Sequence, residues 1–516
     1  MPMSRFQNSV RPEVSKGPAP HRVRASKGAW AALRYLRANG VSGAATGVVR
    51  KIFALLALGC VASLAWADAT PPDHGVIGVQ AKHLSPEFWI EAQSNPTHVV
   101  LDATQIKQQN DTLERIDATV HDIEGLPPML SRAAIETWLE PLSTPPTRDL
   151  FDERGQKVPP AVLESVLANA ALNAIPPNRA VQFGLVTQRA DLRTFPTRLR
   201  VFHSPDDHDI DRFQENALFP GSPVALLHAS SDGEWWFVIS PRYAAWIEQR
   251  HVALGSSAQV FGYGRKSPTL IVTGATVQTV FTPEQPQVSQ LPLDMGVRVP
   301  LLSDWPADQA VNGQHPYAAH VIELPQRAAD GTLELVPALL PRSADVARDY
   351  LPLTPANVLR QSFKFLGERY GWGHAYAARD CSGFVSEVYR SFGVQLPRNT
   401  RDQGISAAFD RIVFGEKDTR AKRLAVIRTL QVGDLIYIPG HVMLVIGRDG
   451  ANTYVIHDTT GISYREGGVM RRVSLNSVAV TPLEPLQVDA THSYVDRIYS
   501  IQRMRPRAVT DASGRK

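Results

Sequence analysis

Residues 68–516 contain a single cysteine, Cys381. That count excludes an internal disulfide and a cysteine-built zinc cage from this long stretch, so its stability has to come from apolar burial. The stretch also exceeds what one hydrophobic core usually supports, which predicts three or four domains. Cys381 stands in Arg379-Asp380-Cys381-Ser382-Gly383-Phe384, at the start of a predicted helix, and Gly440-His441-Val442 follows later in the chain. A thiol at a helix N-terminus meets the positive end of the macrodipole, which favours thiolate. The pairing of such a thiol with a histidine predicts cysteine-hydrolase chemistry with a nucleophile poised to ionise.

The chain before Asp68 reads Arg50-Lys51, an apolar run from Ile52 to Trp66, and then Ala65-Trp66-Ala67. Charged, apolar and small residues in that order predict a secretory signal peptide cleaved after Ala67, and the run is too short for a spanning helix. The expected product is exported, periplasmic or associated with the cell envelope, with no stable membrane insertion after cleavage. Cys60 lies inside the run without the leucine of a lipobox and reads as part of the leader. Residues 1–49 show no globular pattern and are long for the region before a signal peptide, which leaves the translation start open between Met1 and a downstream position. Ten of the 54 basic residues but only one of the 50 acidic residues fall in residues 1–67. The remainder is therefore net acidic, and the basic balance of the whole chain carries no inference toward nucleic acid.

After a linker, Ser85-Pro86 followed by Phe88 and Trp89 predicts a helix start, and a largely helical segment extends to about Leu142. The proline pairs at 127–128, 145–146, 159–160 and 176–177 predict an extended connection. From Phe183 to Leu254 short β-rich runs, Arg198 to Phe202, Val224 to His228 and Trp235 to Ile239, predict a small barrel with Trp235, Trp236 and Trp246 in its core. A second β-rich stretch runs from about Leu270 to Leu340. Thr354-Pro355 opens a helix, a second is expected from Ser382 to Phe392, and strands follow at Asp434 to Ile438, Val442 to Gly447, Tyr454 to His457 and Tyr494 to Met504. Helices before an antiparallel sheet is an α+β order.

Five ordered motifs, Tyr370-Gly371-Trp372-Gly373, Arg379-Asp380-Cys381-Ser382-Gly383-Phe384, Leu396-Pro397-Arg398-Asn399-Thr400 with Gln403, Val432-Gly433-Asp434-Leu435 and Gly440-His441-Val442, resemble the successive signatures of NlpC-type cell-wall cysteine peptidases. The stretch 183–340 resembles the bacterial SH3-like domains of a multidomain branch of that family. The resemblance implies a multidomain α+β chain: an N-terminal helical segment, two small SH3-like β-barrels and a C-terminal papain-like catalytic domain. The expected boundaries are 1–67 for the leader, 68–182 for the helical segment and connection, 183–255 and 256–350 for the barrels, 351–505 for the peptidase and 506–516 for a disordered tail.

Amide cleavage needs a nucleophile, a base that titrates near neutrality and a group that orients the base. Cys381 and His441 fit the first two roles. Antiparallel pairing of the next strand would bring His457 beside His441 as orienter, whereas alternation turns Asp458 to the other face. The resemblance further implies that Tyr370, Asp380 and Ser382 shape a pocket for the free amine of an L-Ala-γ-D-Glu stem peptide, with Tyr370 alternatively donating to the oxyanion. It also implies that the first barrel closes this pocket, with Asp191, Arg193 and Glu215 as candidate contributors. Arg379 is read either as a support for the thiolate or as solvated, and His374 departs from the second glycine usual in the family.

The implied activity is an exported endopeptidase cleaving the γ-D-glutamyl-L-diamino-acid bond of peptidoglycan stem peptides. The alternatives are a noncatalytic peptidoglycan-binding protein and an acyltransferase or amidase using the same Cys-His pair. The expected partner is peptidoglycan or its stem-peptide fragments, with no nucleic acid and an open oligomeric state. No metal or other cofactor is expected. His203, Asp206, Asp207, His208 and Asp209 read as a polar loop, and no glycine-rich phosphate loop occurs at a strand-helix junction.

Overall fold

The computed structural model describes residues 75–506. The expected signal peptide, Cys60 and the expected tail after Pro506 lie outside the described residues. After a 3-10 turn, Ala81–Leu84, the described chain forms the helices Pro86–Glu91 and Ala103–Ile116. Ser85 caps the first and Pro86 supplies its first turn, as expected. These helices pack on the C-terminal unit: Trp89 is fully buried in the core that also holds Leu359, Phe384, Leu444 and Ile456. Gly447 meets the indole so closely that a Cβ there would lie 2.8 Å from it.

The proline-rich connection is less extended than expected. Pro159-Pro160 begins a helix, Pro160–Asn169, because a proline at the first helical position gives up no hydrogen bond.

Seven strands form the first β unit in the spatial order Gln214–Leu218, Ala190–Arg193, Tyr243–Glu248, Trp235–Ser240, Pro223–Ala229, Gln182–Val186 and Val252–Gly255. Trp235 and Trp246 are buried in its core and Trp236 is half-buried. Residues 198–202 are not a strand. Only Phe202 pairs, with Phe151, and its ring is buried. The second β unit distributes its strands over a three-stranded sheet and two hairpins around Val272, Leu293, Val299, Ile322 and Leu340.

The C-terminal unit sets helices Pro355–Phe363 and Cys381–Arg390 against a sheet in the order Asp410–Val413, Ser500–Arg503, Leu435–Ile438, His441–Asp449, Asn452–Glu466 and Val469–Pro482. Val385, Val388 and Phe392 face Leu444 and Ile456 in one core, and full burial of each such side chain contributes about 1.5–3 kcal/mol. Two expectations fail here. Residues 494–504 hold a one-turn helix, Tyr494–Arg497, before the strand. The strand Val469–Pro482 was not anticipated, because its exposed outer half carries arginines and serines instead of an apolar run. Gly467 and Gly468, with φ of 56° and 82°, form the two-residue turn that pairs it with its neighbour.

Candidate active site

Asp380 caps the Cys381–Arg390 helix by accepting from the Gly383 N–H at 2.8 Å, so Cys381 occupies its first turn. The thiol is 6% exposed. It lies 3.6 Å from Thr400 Oγ1 and receives the backbone N–H of Val442, the residue after His441. Helix start and strand head are thus brought together from distant parts of the chain. Burial, followed by the neighbouring Asp380 carboxylate, pushes the thiol up to about 12. The expected readiness to ionise is therefore not present in the resting site, where burial and a negative neighbour outweigh the helix dipole.

His441 Nε2 lies 2.7 Å from His457 Nδ1, and His457 Nε2 lies 2.9 Å from Thr481 Oγ1. Cross-strand pairing of Leu444 with Ile456 sets this register. Burial pushes His441 down to about 4 and His457 well below its ordinary value. Both rings are therefore neutral near pH 7. With Nε2 directed at His457, His441 keeps Nδ1 for a reacting group.

Asp458 does not join this chain. It is fully buried, and neither carboxylate oxygen meets a hydrogen-bond donor among the described residues. Burial, then the Asp380 and Glu368 carboxylates, raises its pKa well above the usual range. Tyr370 is buried nearby, and burial holds its hydroxyl protonated far into alkaline pH.

Asp380 and Ser382 are engaged internally. Arg398 donates to both Asp380 oxygens at 3.2 and 2.8 Å and to Ser382 Oγ at 2.8 Å. Its remaining contacts are Asn216 Oδ1 at 2.5 Å and His374 Nδ1 at 3.1 Å. Asp380 also accepts from Ser382 Oγ and from the Gly373 N–H. Burial alone would raise the Asp380 pKa, yet Arg398 and these donors hold it well below the usual carboxylate range. An incoming ammonium would have to compete with a buried guanidinium for these acceptors.

Arg379 is neither solvated nor aimed at the thiol. It is buried among three carboxylates, Asp294 at 2.5 Å, Glu368 at 2.9 Å and Glu387 at 3.0 Å. Asp294 belongs to the second β unit and also binds Arg189 of the first at 2.5 Å. Arg189 in turn donates to the His374 and Ala378 carbonyls at 3.0 and 2.6 Å. Both β units thereby grip the loop that leads into Cys381.

That loop carries positive φ at Gly373, His374, Tyr376 and Ala377, an arrangement that costs roughly 1–2 kcal/mol for each non-glycine residue. Gln214 secures it from the first unit, accepting from Trp372 Nε1 at 3.0 Å and donating to the Gly373 carbonyl at 2.9 Å. Of the expected gate residues, Glu215 accepts from Thr194 and Tyr243 while its backbone packs on Gly373. Arg193 is buried against Asp211 at 2.5 Å, and Asp191 accepts from Gln214.

His374 is buried, stacks over Gly383 and bonds Glu387 at 3.1 Å. Residues 203–209 form the expected loop, with Asp209 pairing with Arg369 at 2.6 Å. Sequence reasoning missed Arg398 as the partner of Asp380 and Gln214 as the clamp on the loop. The motif Leu396-Pro397-Arg398 carried a signal for the first, and nothing local marked the second.

The site offers a thiol, a neutral imidazole held by a second imidazole, and donors at a helix N-terminus, a set suited to acyl transfer. Residues 367–472 match the model of the NlpC/P60 family, and residues 200–248 match that of the SH3 domain of SH3b1 type. No curated protein matches the chain in sequence.

Among solved structures, the chain is similar to a novel NlpC/P60 endopeptidase from Photobacterium damselae subsp. piscicida, at 15% identity with a TM-score of 0.65 over 81% of this chain and 96% of that one. It also matches NlpC2 from Trichomonas vaginalis, at 14% identity over 63% of this chain and 98% of that one, with a TM-score of 0.23. The peptidoglycan hydrolase RipB from Mycobacterium tuberculosis matches at 20% identity over 29% and 64%, with a TM-score of 0.19. The first likeness extends the agreement in fold beyond the C-terminal unit to most of the chain. The chain therefore carries an NlpC/P60-family domain, preceded by an SH3 domain of the SH3b1 type.

Proposed function

We propose that the protein is an exported cysteine endopeptidase of the cell wall that hydrolyses peptidoglycan stem peptides at the γ-D-glutamyl-L-diamino-acid bond. The observation that carries this reading is the 2.7 Å contact between His441 and His457, on a strand whose head lies against the Cys381 thiol. For His441 to act as base, its Nε2–H donates to His457 and the His457 Nε2–H donates to Thr481. His441 Nδ1 then takes the thiol proton as sulfur attacks the carbonyl carbon.

The charge developing on the carbonyl oxygen meets the Cys381 N–H at the helix start and the neutral Tyr370 hydroxyl. His441 returns the proton to the leaving amine, and water, deprotonated by the same ring, hydrolyses the thioester. The resting pair is thiol and imidazole, so charge separates only when substrate excludes water and aligns the carbonyl.

The engagement of Asp380 by Arg398 argues for a substrate that does not depend on a free N-terminal amine at that carboxylate. The test compares L-Ala-γ-D-Glu-meso-diaminopimelate with its N-acetylated form, using Cys381→Ala as control. Release of diaminopimelate by the wild type alone supports the endopeptidase. Equal inactivity of wild type and variant on both peptides and on whole peptidoglycan would favour a binding protein. Transfer of the acyl group to an added amine, or cleavage on the sugar side of L-Ala, would favour an acyltransferase or amidase.

A further inference from the structure

A cavity of about 140 Å³ lies between the first β unit and the Cys381–Arg390 helix, several times the volume of a water molecule. The helix presents Gly383, Ser386, Glu387 and Arg390 to it, whereas Cys381 turns with Phe384 and Val388 into the core. The cavity is thus separate from the face that bears the thiol. Three guanidinium side chains converge on it from three parts of the chain: Arg242 from a turn of the first β unit, Arg390 from the helix and Arg398 from the loop beyond. Glu387 is the one carboxylate in the lining, and it is already shared by Arg379 at 3.0 Å and His374 at 3.1 Å.

Arg398 is neutralised by Asp380, but the other two cations are not matched in this way. Arg242 donates to the Leu396 carbonyl at 3.3 Å and forms no ion pair within 4 Å of a carboxylate among the described residues, Glu114 acting on it only from a distance. Arg390 donates to the Met295 carbonyl at 3.1 and 2.6 Å and reaches Glu387 only at 3.9 Å. Its guanidinium carbon lies over the Phe219 ring, 4.5 Å from its centre. Burial, followed by Arg390, lowers the pKa of Arg242 to about 10, the response of a cation withdrawn from water beside another cation. Leu218, Phe219, Pro223 and Leu396 supply apolar wall.

We infer that this cavity is a binding site for a small organic carboxylate with a short apolar tail, received by Arg242 and Arg390 between the first β unit and the back of the nucleophile-bearing helix. Planar guanidinium groups match the planar carboxylate in charge and geometry, and the apolar wall takes the tail. A compact, fully polar anion gains nothing from that wall, and an ammonium group is repelled by the arginines.

Isothermal titration of the purified protein with propionate, inorganic phosphate and ethylammonium tests the assignment. Propionate is expected to bind, with affinity falling about tenfold or more in both Arg242→Gln and Arg390→Gln. Far-UV circular dichroism identifies which variant remains folded, and Arg242→Lys, which keeps the charge but loses the fork, should fall between. The inference is overturned if propionate gives no saturable binding, if phosphate or ethylammonium binds more tightly, or if a folded glutamine variant binds propionate as well as the wild type.

Discussion

Replacing Arg398 with leucine removes the cation that Asp380 faces while keeping an apolar side chain in a buried position. Asp380 receives five internal hydrogen bonds: two from Arg398 and one each from Gly383 N–H, Gly373 N–H and Ser382 Oγ. Three survive the substitution, so the carboxylate is left partly satisfied but uncompensated in charge. Breaking a buried pair in this way costs about 3–5 kcal/mol, and the three surviving donors put the expected loss near the lower end.

The pH dependence follows from the direction of the Asp380 shift. Its folded pKa is depressed, so the pair stabilises the wild type fully above the unfolded aspartate value of about 3.9, and that contribution is lost as pH falls further. Without Arg398, burial raises the carboxyl instead, and protonation relieves the strain on acidification. Urea unfolding of wild type and Arg398→Leu, followed by tryptophan fluorescence, should show a deficit of about 3 kcal/mol at pH 7 that shrinks toward pH 3. A deficit that stays constant between those pH values, or one below about 1 kcal/mol at pH 7, would refute the ion-pair reasoning.

Because burial holds His441 at about 4, kcat/KM for stem-peptide hydrolysis should stay level down to about pH 5 and fall near pH 4; an acidic limb near 6.5 would show a solvated base. His457→Ala should lower kcat by about 10²–10⁴ with little change in KM, and His457→Asn, which retains an acceptor for His441 Nε2–H, should recover part of it. A change confined to KM would assign His457 to substrate binding. A Cβ at Gly383 would stand 2.5 Å from the buried His374 ring, so Gly383→Ala should destabilise by about 1–3 kcal/mol. His374→Ala in the same chain should relieve that clash, and equal unfolding midpoints for wild type and Gly383→Ala would contradict it.

The local signals of this chain were read correctly where chemistry and geometry coincide within a few residues. Thr354-Pro355 and Ser85-Pro86 mark helix starts because a hydroxyl satisfies free N–H groups and proline needs none. The second helix begins one residue before the expected Ser382, at Cys381, because the Asp380 carboxylate caps it, and alternation along Tyr454 to Asp458 sent His457 toward His441 and Asp458 away. Residues 494–504 and the polar strand Val469–Pro482 were misread or missed because their environment is supplied by neighbouring strands and not by an apolar pattern of their own.

Chain order alone thus marked where several helices and strands begin and which of their residues share a face, since caps, turns and periodicity act over a handful of positions. The protonation of the thiol, the capture of Asp380 by Arg398 and the grip of both β units on the strained 373–377 loop depend on groups up to some two hundred residues away. Burial and Coulomb interaction depend on distance in space, which exists only once the units have packed together.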